Sequence, residues 1–237
     1  KVPHTPMCPK KRTTTRPWSA VLPVTDLRWW LGAVLPHIAT HRHELPALTA
    51  ARVTSSGGWL YASATDRYTL GVARTRAEEA PGGVDVLVPL AGVKAILSTH
   101  RANRRGESRS VIVTVSSDRL TVAALPGDGA PAVSVGVDTL GLEPVALESV
   151  LRQDATPTGS AASTRVTLNP LLLARFAAAG QPAELVVAPD RMAAVQVTVG
   201  EDFRGAIQPY NITGRAAQDV DDGWGEGLHT LGKRGAR

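Results

Sequence analysis

The chain has little sulfur and few aromatic side chains. Its 237 residues include one cysteine, Cys8, two methionines and only 4% phenylalanine, tryptophan and tyrosine. A lone cysteine excludes an internal disulfide framework and any zinc site that takes two thiolates from one chain. The composition is therefore compatible with the reducing cytoplasm, and we expect the protein there.

Long hydrophobic runs are also missing. One of the longest, Val86–Val93, is bounded by Asp85 and Lys94, so no stretch reaches the roughly 18 apolar residues that a membrane helix needs. No apolar segment follows the basic N-terminal residues, which argues against a secretory signal. We therefore expect no membrane partner.

The remaining composition is that of a folded chain. Hydrophobic residues make up 43%, and with so few aromatics the core has to be built from valine, leucine, isoleucine and alanine. The formal net charge is +5, carried mostly by arginine. Because such a bias also follows from a GC-rich genome, charge alone is weak evidence for a nucleic-acid partner.

The two ends differ from the middle. Residues 1–17 form a basic arm rich in proline and threonine, and residues 213–237 are rich in glycine and in charges of both signs. Neither has enough apolar residues to pack, so both are predicted to be disordered.

Between the ends, a strand, a helix and a hairpin recur in the same order. The first copy has a strand at Ala20–Val24, a helix capped by Thr25 or Asp26 and ended by Pro36, and a hairpin around Ser56-Gly57-Gly58. The second has a strand at Val84–Val88, a helix at Pro89–His100, and a hairpin of Ser110–Val115 with Leu120–Ala124.

A third copy follows after a turn-rich stretch. It has a strand at Val166–Leu168, a helix from Asn169-Pro170 to Ala179, and a hairpin of Leu185–Ala188 with Met192–Val199. Residues 86–97 align with residues 166–177 without a gap. This agreement favours an internal repeat over a chance pairing of amphipathic helices.

The repeat and three stretches of sequence resemble the bacterial sliding clamp, the β subunit of the replicative DNA polymerase. Residues 60–73 (LYASATDRYTLGVA), 86–97 (VLVPLAGVKAIL) and 202–212 (DFRGAIQPYNI) are similar to the family's hairpin, strand–helix and C-terminal strand. The resemblance covers residues 18–212. It implies an α+β DNA-clamp fold built from repeated βαβββ units.

The family chain has three domains of two units each, so the present chain is short. The resemblance implies a complete clamp-type domain at residues 18–140, a linking segment at 141–163 and half a domain at 164–212. A ring of twelve units would need four chains of three units, or three chains if a fourth unit lay within residues 125–163.

In a clamp, helices with sparse positive charge face the duplex, and ring topology rather than base contact holds the DNA. Each candidate inner helix here carries one central basic residue, and a basic cluster follows the second helix. The residues that the resemblance assigns to DNA are Arg28, Lys94, Arg101, Arg104, Arg105 and Arg175. The alternative is that these are solvated residues at helix ends and in a surface loop.

The resemblance also implies a pocket in which partner proteins dock a short apolar peptide. Its walls would be Thr65, Tyr68, Leu70, Pro144, Val150, Met192, Ala194, Ile207, Pro209 and Tyr210. The alternative is that these are ordinary core and strand residues, although Tyr68 and Tyr210 are amphipathic rings of the kind that line grooves. Two departures weaken the match: Thr69 stands where the family often has arginine, and Gln208 replaces a methionine.

Motifs for catalysis are missing from the sequence. It contains no G-x-x-x-x-G-K, H-E-x-x-H or G-x-S-x-G, so we expect neither enzyme activity nor a cofactor. His37, His41 and His43 with Glu44 have a spacing that could hold a metal. They lie between two prolines, in a predicted loop with no second ligand set nearby, and we expect no metal there.

Three hypotheses follow. The first is a homo-oligomeric processivity factor that encircles or cradles duplex DNA and tethers a polymerase and repair proteins; whether a clamp loader opens it stays open. The second is an interaction module without a ring, which binds clamp-binding peptides or a clamp and regulates replication. The third is a basic DNA-binding protein whose arm, Lys10–Arg16, supplies most of the affinity.

Overall fold

Three repeats make up the described part of the chain. The computed structural model describes residues 18–40, 45–79, 83–101, 109–116, 118–125, 133–145, 147, 166–188 and 193–209. The predicted arm and tail lie outside these residues. We call residues 18–76 the first repeat, 85–138 the second repeat and 166–207 the third repeat.

The elements follow one another in the predicted order. The first repeat contains β1 (Trp18–Pro23), α1 (Val24–Val34), β2 (Ala50–Ser56), β3 (Trp59–Thr65) and β4 (Thr69–Arg76), with 3₁₀ turns at Leu35–His37 and Pro46–Thr49. After the short β5 (Glu78–Glu79), the second repeat contains β6 (Asp85–Pro89), α2 (Leu90–Thr99), β7 (Ser110–Val115), β8 (Arg119–Ala124) and β9 (Ser134–Asp138). The third repeat contains α3 (Pro170–Leu173), a 3₁₀ segment (Ala174–Ala179), β10 (Ala183–Val186), β11 (Val195–Val199) and β12 (Phe203–Ile207).

The first two repeats exchange their first strands. β1 pairs antiparallel with β7 of the second repeat, and β6 pairs antiparallel with β2 of the first. The registers are equivalent, because Pro23 lies opposite Ser110 and Pro89 opposite Ala50, in each case at the first residue of the receiving strand. The two repeats are therefore related by an approximate two-fold axis.

Both long helices begin directly after a proline. Pro23 and Pro89 are the N-cap residues of α1 and α2, with nearly the same backbone angles (φ −59°, ψ 144° and φ −60°, ψ 152°). The prediction that Thr25 or Asp26 caps α1 is wrong, because the chain enters the helix at Val24 and no side chain caps it. The shared proline start is further support for the repeat.

The third repeat extends a sheet of the first repeat. β12 pairs antiparallel with β4, which gives a seven-stranded sheet in the order β6-β2-β3-β4-β12-β11-β10. Gly71 and Gly205 lie opposite each other in this pairing. A Cβ on Gly71 would lie 2.4 Å from His37 Cδ2, and one on Gly205 would lie 2.6 Å from the Leu70 carbonyl oxygen. Glycine is therefore required at both positions for this close approach.

An aromatic cluster lies beneath the β4–β12 pairing. The His37 ring centroid is 4.8 Å from that of Phe176 and 6.0 Å from that of Phe203, and all three side chains are buried. His37 belongs to the first repeat, whereas both phenylalanines belong to the third. Repeats that are far apart in the chain therefore share one core.

The structure confirms the first two predicted hairpins and corrects other elements, including the third hairpin, whose strands are Ala183–Val186 and Val195–Val199. Gly57 and Gly58 both have positive φ, 58° and 79°, as a tight two-residue hairpin turn requires. The predicted strand at Val166–Leu168 is wrong: no strand forms there, and no described strand lies beside it. The predicted helix after it is α-helical only over Pro170–Leu173 and continues as 3₁₀ helix until Gly180 ends it. β5 and β9 are additional strands.

His37 generates a prediction about acid stability. Burial and, secondly, the charge of Arg175 lower the pKa of His37 from 6.5 to about 4, against the opposing charge of Asp66. The unfolded chain therefore takes up a proton near pH 6.5, whereas the folded chain does so only near pH 4. The free energy of unfolding should fall by about 3 kcal/mol as the pH drops through this window.

The measurement is urea unfolding of the wild type and of His37→Leu at pH 7 and at pH 4. We expect the variant to lose less stability than the wild type over this range, whatever its stability at pH 7. His100→Gln is the control, because burial also lowers the pKa of His100 and this variant keeps the His37 contribution. Equal acid sensitivity of His37→Leu and the wild type would contradict the burial of a neutral His37.

Candidate functional site

Arg28, on α1, contacts the end of α2. Its Nη1 donates to the carbonyl oxygens of Leu97 at 2.7 Å and His100 at 3.1 Å. These carbonyls belong to the last turn of α2 and its cap, where a cation stabilises the negative end of the helix dipole. Arg28 thus joins the helices of the two repeats, and its role in DNA binding stays a prediction.

Lys94 lies on the outer side of α2, and Arg101 follows the helix, two residues past its last residue, Thr99. Both side chains are exposed, whereas Val93 and Ile96 on the other side of the helix are fully buried. The Nε of Arg101 donates to the Ser98 carbonyl at 3.2 Å, at the end of the helix. Arg104 and Arg105 lie outside the described residues.

Arg175 joins the third repeat to the first. Its Nη1 donates to Asp66 Oδ2 at 2.5 Å and to Thr69 Oγ1 at 2.8 Å. Burial opposes the ionisation of Asp66, but the hydrogen bond and charge of Arg175, together with the Thr69 and Tyr68 amides, hold its pKa below the ordinary value. The DNA role assigned to Arg175 stays a prediction, and this ion pair is its contact in the structure.

The turn between β3 and β4 presents a tyrosine to solvent. The Thr65 hydroxyl donates to the Thr69 carbonyl at 2.8 Å, and Asp66 Oδ1 accepts the amides of Tyr68 and Thr69. Arg67 takes the positive φ of 78° that the turn requires. These bonds fix the backbone, and the Tyr68 side chain remains 58% exposed.

The end of β12 lies against this turn. The Gln208 amide donates to the Tyr68 carbonyl at 2.8 Å, which continues the pairing of β12 with β4 by one residue. Leu70 and Ile207 next to this turn are buried on opposite faces of the sheet, because Leu70 lies opposite Ala206 and Ile207 opposite Thr69, and Pro209 is also buried. We call the predicted pocket residues that the structure brings together here the tyrosine corner: Thr65, Tyr68, Leu70, Ile207 and Pro209.

The other predicted pocket residues are placed differently. Ala194 is half-buried and precedes Val195, which lies opposite Ile207, so it lies next to the tyrosine corner. Pro144 is half-buried and follows Leu140, which bridges to Leu87 on β6, three strands away from β4. The positions outside the described residues are Val150, Met192 and Tyr210.

Sequence reasoning missed a cleft at the opposite end of the β4–β12 pairing. Its volume is about 630 Å³, and it lies between the start of α1, the hairpin ends and the β11–β12 turn. The guanidinium carbons of Arg74 and Arg76 lie 4.2 Å and 4.7 Å from the centre of the Trp59 ring, and Arg74 also pairs with Asp202. The sequence signal for this cleft was Trp59 at the start of β3. A tryptophan at that position is equally expected of an ordinary strand residue, so it did not indicate a cleft.

Neither a metal-binding cluster nor a membrane-spanning helix is found among the described residues. No group of three or more His, Cys, Asp or Glu side chains among them could hold a metal ion. None of the helices within the described ranges has the length and apolar character needed to cross a membrane. Of the predicted histidine cluster, His37 is buried in the aromatic cluster, and His41, His43 and Glu44 lie outside the described residues.

Comparison by sequence finds no relative: no protein-family model matches the chain, and no curated protein matches it. Comparison by structure does find matches. The DNA polymerase sliding clamp from Bacillus subtilis matches 88% of this chain and 67% of its own at 12% identity, with a TM-score of 0.62. The DNA polymerase III β subunit from Thermotoga maritima matches 87% of this chain and 70% of its own at 10% identity, with a TM-score of 0.66.

A third clamp structure agrees. The DNA polymerase sliding clamp from Pseudomonas aeruginosa matches 82% of this chain and 66% of its own at 12% identity, again with a TM-score of 0.66. At such low identity the likeness is one of fold, and it extends across all three repeats. Two antiparallel sheets, the exchanged strands and the few helices confirm the predicted fold class: the chain has the α+β fold of bacterial sliding clamps.

Proposed function

We propose that the protein is a sliding-clamp-like processivity factor. It would encircle or cradle duplex DNA as a homo-oligomer and tether a polymerase or repair proteins through the tyrosine corner. It would act in the cytoplasm without a catalytic site or a cofactor of its own. The likeness of fold to solved clamps supports this proposal.

The tyrosine corner is the observation that carries the proposal. A hydrogen-bonded turn holds an exposed aromatic ring next to the paired ends of β4 and β12, where Leu70 and Ile207 are buried. An exposed amphipathic ring on a turn whose backbone is already held by hydrogen bonds can anchor a peptide with little loss of backbone entropy. The burial of Leu70 and Ile207 also agrees with the alternative that they are plain strand residues, so the proposal depends on Tyr68.

The outer side of α2 supports contact with DNA. Lys94 on α2 and Arg101 just past its end offer positive charge without a carboxylate partner among the contacts of the described residues. Two such cations attract phosphates but form few contacts, which is the balance that a sliding protein needs. Repetition of this surface around an oligomer would line a channel with the same sparse charge.

The interaction module without a ring remains the second candidate function. One observation favours it: Arg28 and Arg175, two of the residues assigned to DNA, form hydrogen bonds inside the protein. A chain that keeps the tyrosine corner but has fewer cations for phosphate would bind peptides or a clamp rather than a duplex. The next two predictions separate the candidates.

The first prediction concerns duplex binding. Lys94→Gln should weaken the affinity for a labelled DNA duplex and reduce the slope of log K against log salt by about 0.9 for each phosphate contact that is lost. Fluorescence anisotropy over a salt series measures both quantities.

Arg204→Gln is the matched control. Phe203 contacts His37 on the helix side of the sheet, so the next residue along β12, Arg204, faces the opposite side. The Arg204→Gln variant also loses one positive charge, but far from α2. The slope of log K against log salt should therefore stay unchanged. Equal effects of the two variants would reject an interface on α2. Loss of all affinity after deletion of residues 1–17 would favour the basic arm instead.

The second prediction concerns the tyrosine corner. Tyr68→Ala should weaken binding of a fluorescein-labelled peptide of leucine and phenylalanine by about tenfold or more, the order expected when an aromatic anchor is truncated. The thermal midpoint should change little, because the ring is exposed.

Tyr61→Ala is the control, since Tyr61 lies further along β3, near Arg74 and Asp202 at the other end of the β4–β12 pairing. Peptide binding that survives Tyr68→Ala unchanged would remove the corner from the proposal. Peptide binding in a protein with no affinity for DNA would leave the interaction module as the function.

A further inference from the structure

The third repeat lacks the companion that each of the first two repeats has. In the first two repeats, the first strand of each pairs with the first strand after the helix of the other: β1 pairs with β7, and β6 pairs with β2. In the third repeat, β10 is the first strand after the helix, so it is the equivalent of β2 and β7. Among the described residues β10 pairs only with β11, and its other edge has no strand beside it.

The core face of β10 is uncovered. Ala183 lies opposite Val199 and Leu185 opposite Val197, and directly opposite residues share one face of a sheet. Both valines are buried, so Ala183 and Leu185 point to the core side. Leu185 is nevertheless 41% exposed.

The complete repeats show what covers this face. Val53 on β2 and Val113 on β7 are fully buried. Each has an apolar residue of the exchanged strand directly opposite, Val86 for Val53 and Ala20 for Val113. Leu185 is exposed because the equivalent strand is missing beside it.

The segment of the third repeat that is equivalent to β1 and β6, residues 166–168, is also unpaired. Residues 166–168 align with 86–88 of β6, yet they form no strand. Val166 and Leu168 are half-buried against the core, so their side chains face inward and lack only a neighbouring strand. Leu171, on the first turn after them, is 77% exposed, the highest value among the large exposed hydrophobic residues described.

We propose that the third repeats of two chains complete each other. Residues 166–168 of one chain would pair with β10 of its partner, and the partner's residues would pair with β10 of the first chain. The first strands of the first two repeats are already paired, so no further strand among the described residues can lie beside β10, and the third repeat of a second copy would provide one. The result is an isologous dimer with a two-fold axis through a shared domain.

The buried faces and the complete domain together give the register. Val166 would lie opposite Leu185 and Leu168 opposite Ala183, which puts apolar residues of both strands on the core side. It repeats the pairing of Val86 with Val53 in the complete domain. A shift by one residue would place Leu185 opposite the polar Thr167.

This dimer goes beyond the proposed function and does not depend on it. Two chains would together hold six repeats in three domains, the number that the sequence resemblance gives to one family chain. The exchange follows from the internal symmetry of the fold and applies equally to a ring and to an interaction module. Its test therefore uses no DNA and no peptide.

The experiment is disulfide trapping between two differently substituted chains. Both carry Cys8→Ser; one carries Val166→Cys and the other Leu185→Cys. Because each chain has a single cysteine, a bond between positions 166 and 185 can form only between two molecules. Mild oxidation of an equimolar mixture should give a covalent dimer of the two different chains as the main product.

The control replaces Leu185→Cys by Glu184→Cys, one residue away on the opposite face of β10. It should cross-link at least about tenfold less. Equal trapping at 184 and 185, or a main product of two Leu185→Cys chains, would overturn the exchange, the latter because it shows β10 paired with β10.

Sedimentation equilibrium provides a second readout with native cysteine. The wild type should be a dimer or a multiple of it, and Leu185→Asp should raise the dissociation constant at least about a hundredfold, because it buries a carboxylate at each of two equivalent sites. Circular dichroism checks that this variant folds. A wild type that stays monomeric at high concentration and gives no 166–185 bond would show that β10 is not completed by a second copy.

Discussion

The pairing of β12 with β4 is the interaction on which the rest of the structure depends. It joins the third repeat to the first, although the whole second repeat lies between them in the sequence. Strands of both repeats thereby form one sheet. The backbones can approach because Gly71 and Gly205 lie opposite each other, where side chains would collide with His37 and with the Leu70 carbonyl. The aromatic cluster then closes the core beneath the pairing.

The candidate peptide site is a product of the same pairing. The turn that holds Tyr68 is built on Asp66, and Asp66 is paired with Arg175 from the third repeat. The end of β12 is joined to the turn by the hydrogen bond from the Gln208 amide to the Tyr68 carbonyl. Neither repeat alone contains the tyrosine corner, so its geometry exists only while the two repeats share a sheet. A partner peptide bound there would in turn stabilise the pairing.

Local signals explain what could be predicted from the sequence. The Ser56-Gly57-Gly58 turn and the proline before α2 are decided by backbone conformation within a few residues, so the hairpins and the helix were predictable. The alignment of residues 86–97 with 166–177 gave the repeat and, through the resemblance, the fold. The tyrosine corner followed from the resemblance as well.

Other features depend on contacts between distant residues. The strand pattern at Val166–Leu168 is right for a strand, yet a strand needs a neighbour, and none of the described strands provides one. Arg28 and Arg175 look like free cations in the sequence, but their partners lie 69 and 109 residues away. Thr69 departs from the arginine of the family, and here Arg175 reaches its hydroxyl from the third repeat.

The most direct test of this account is amide hydrogen exchange at the two ends of the β4–β12 pairing. The Arg74 amide donates to the Asp202 carbonyl at one end, and the Gln208 amide donates to the Tyr68 carbonyl at the other. If the repeats share one sheet, both amides should be protected to the same degree as those between β3 and β4. Exchange of both amides at the rate of an open chain, with β3 and β4 still protected, would contradict the shared sheet and the site built on it.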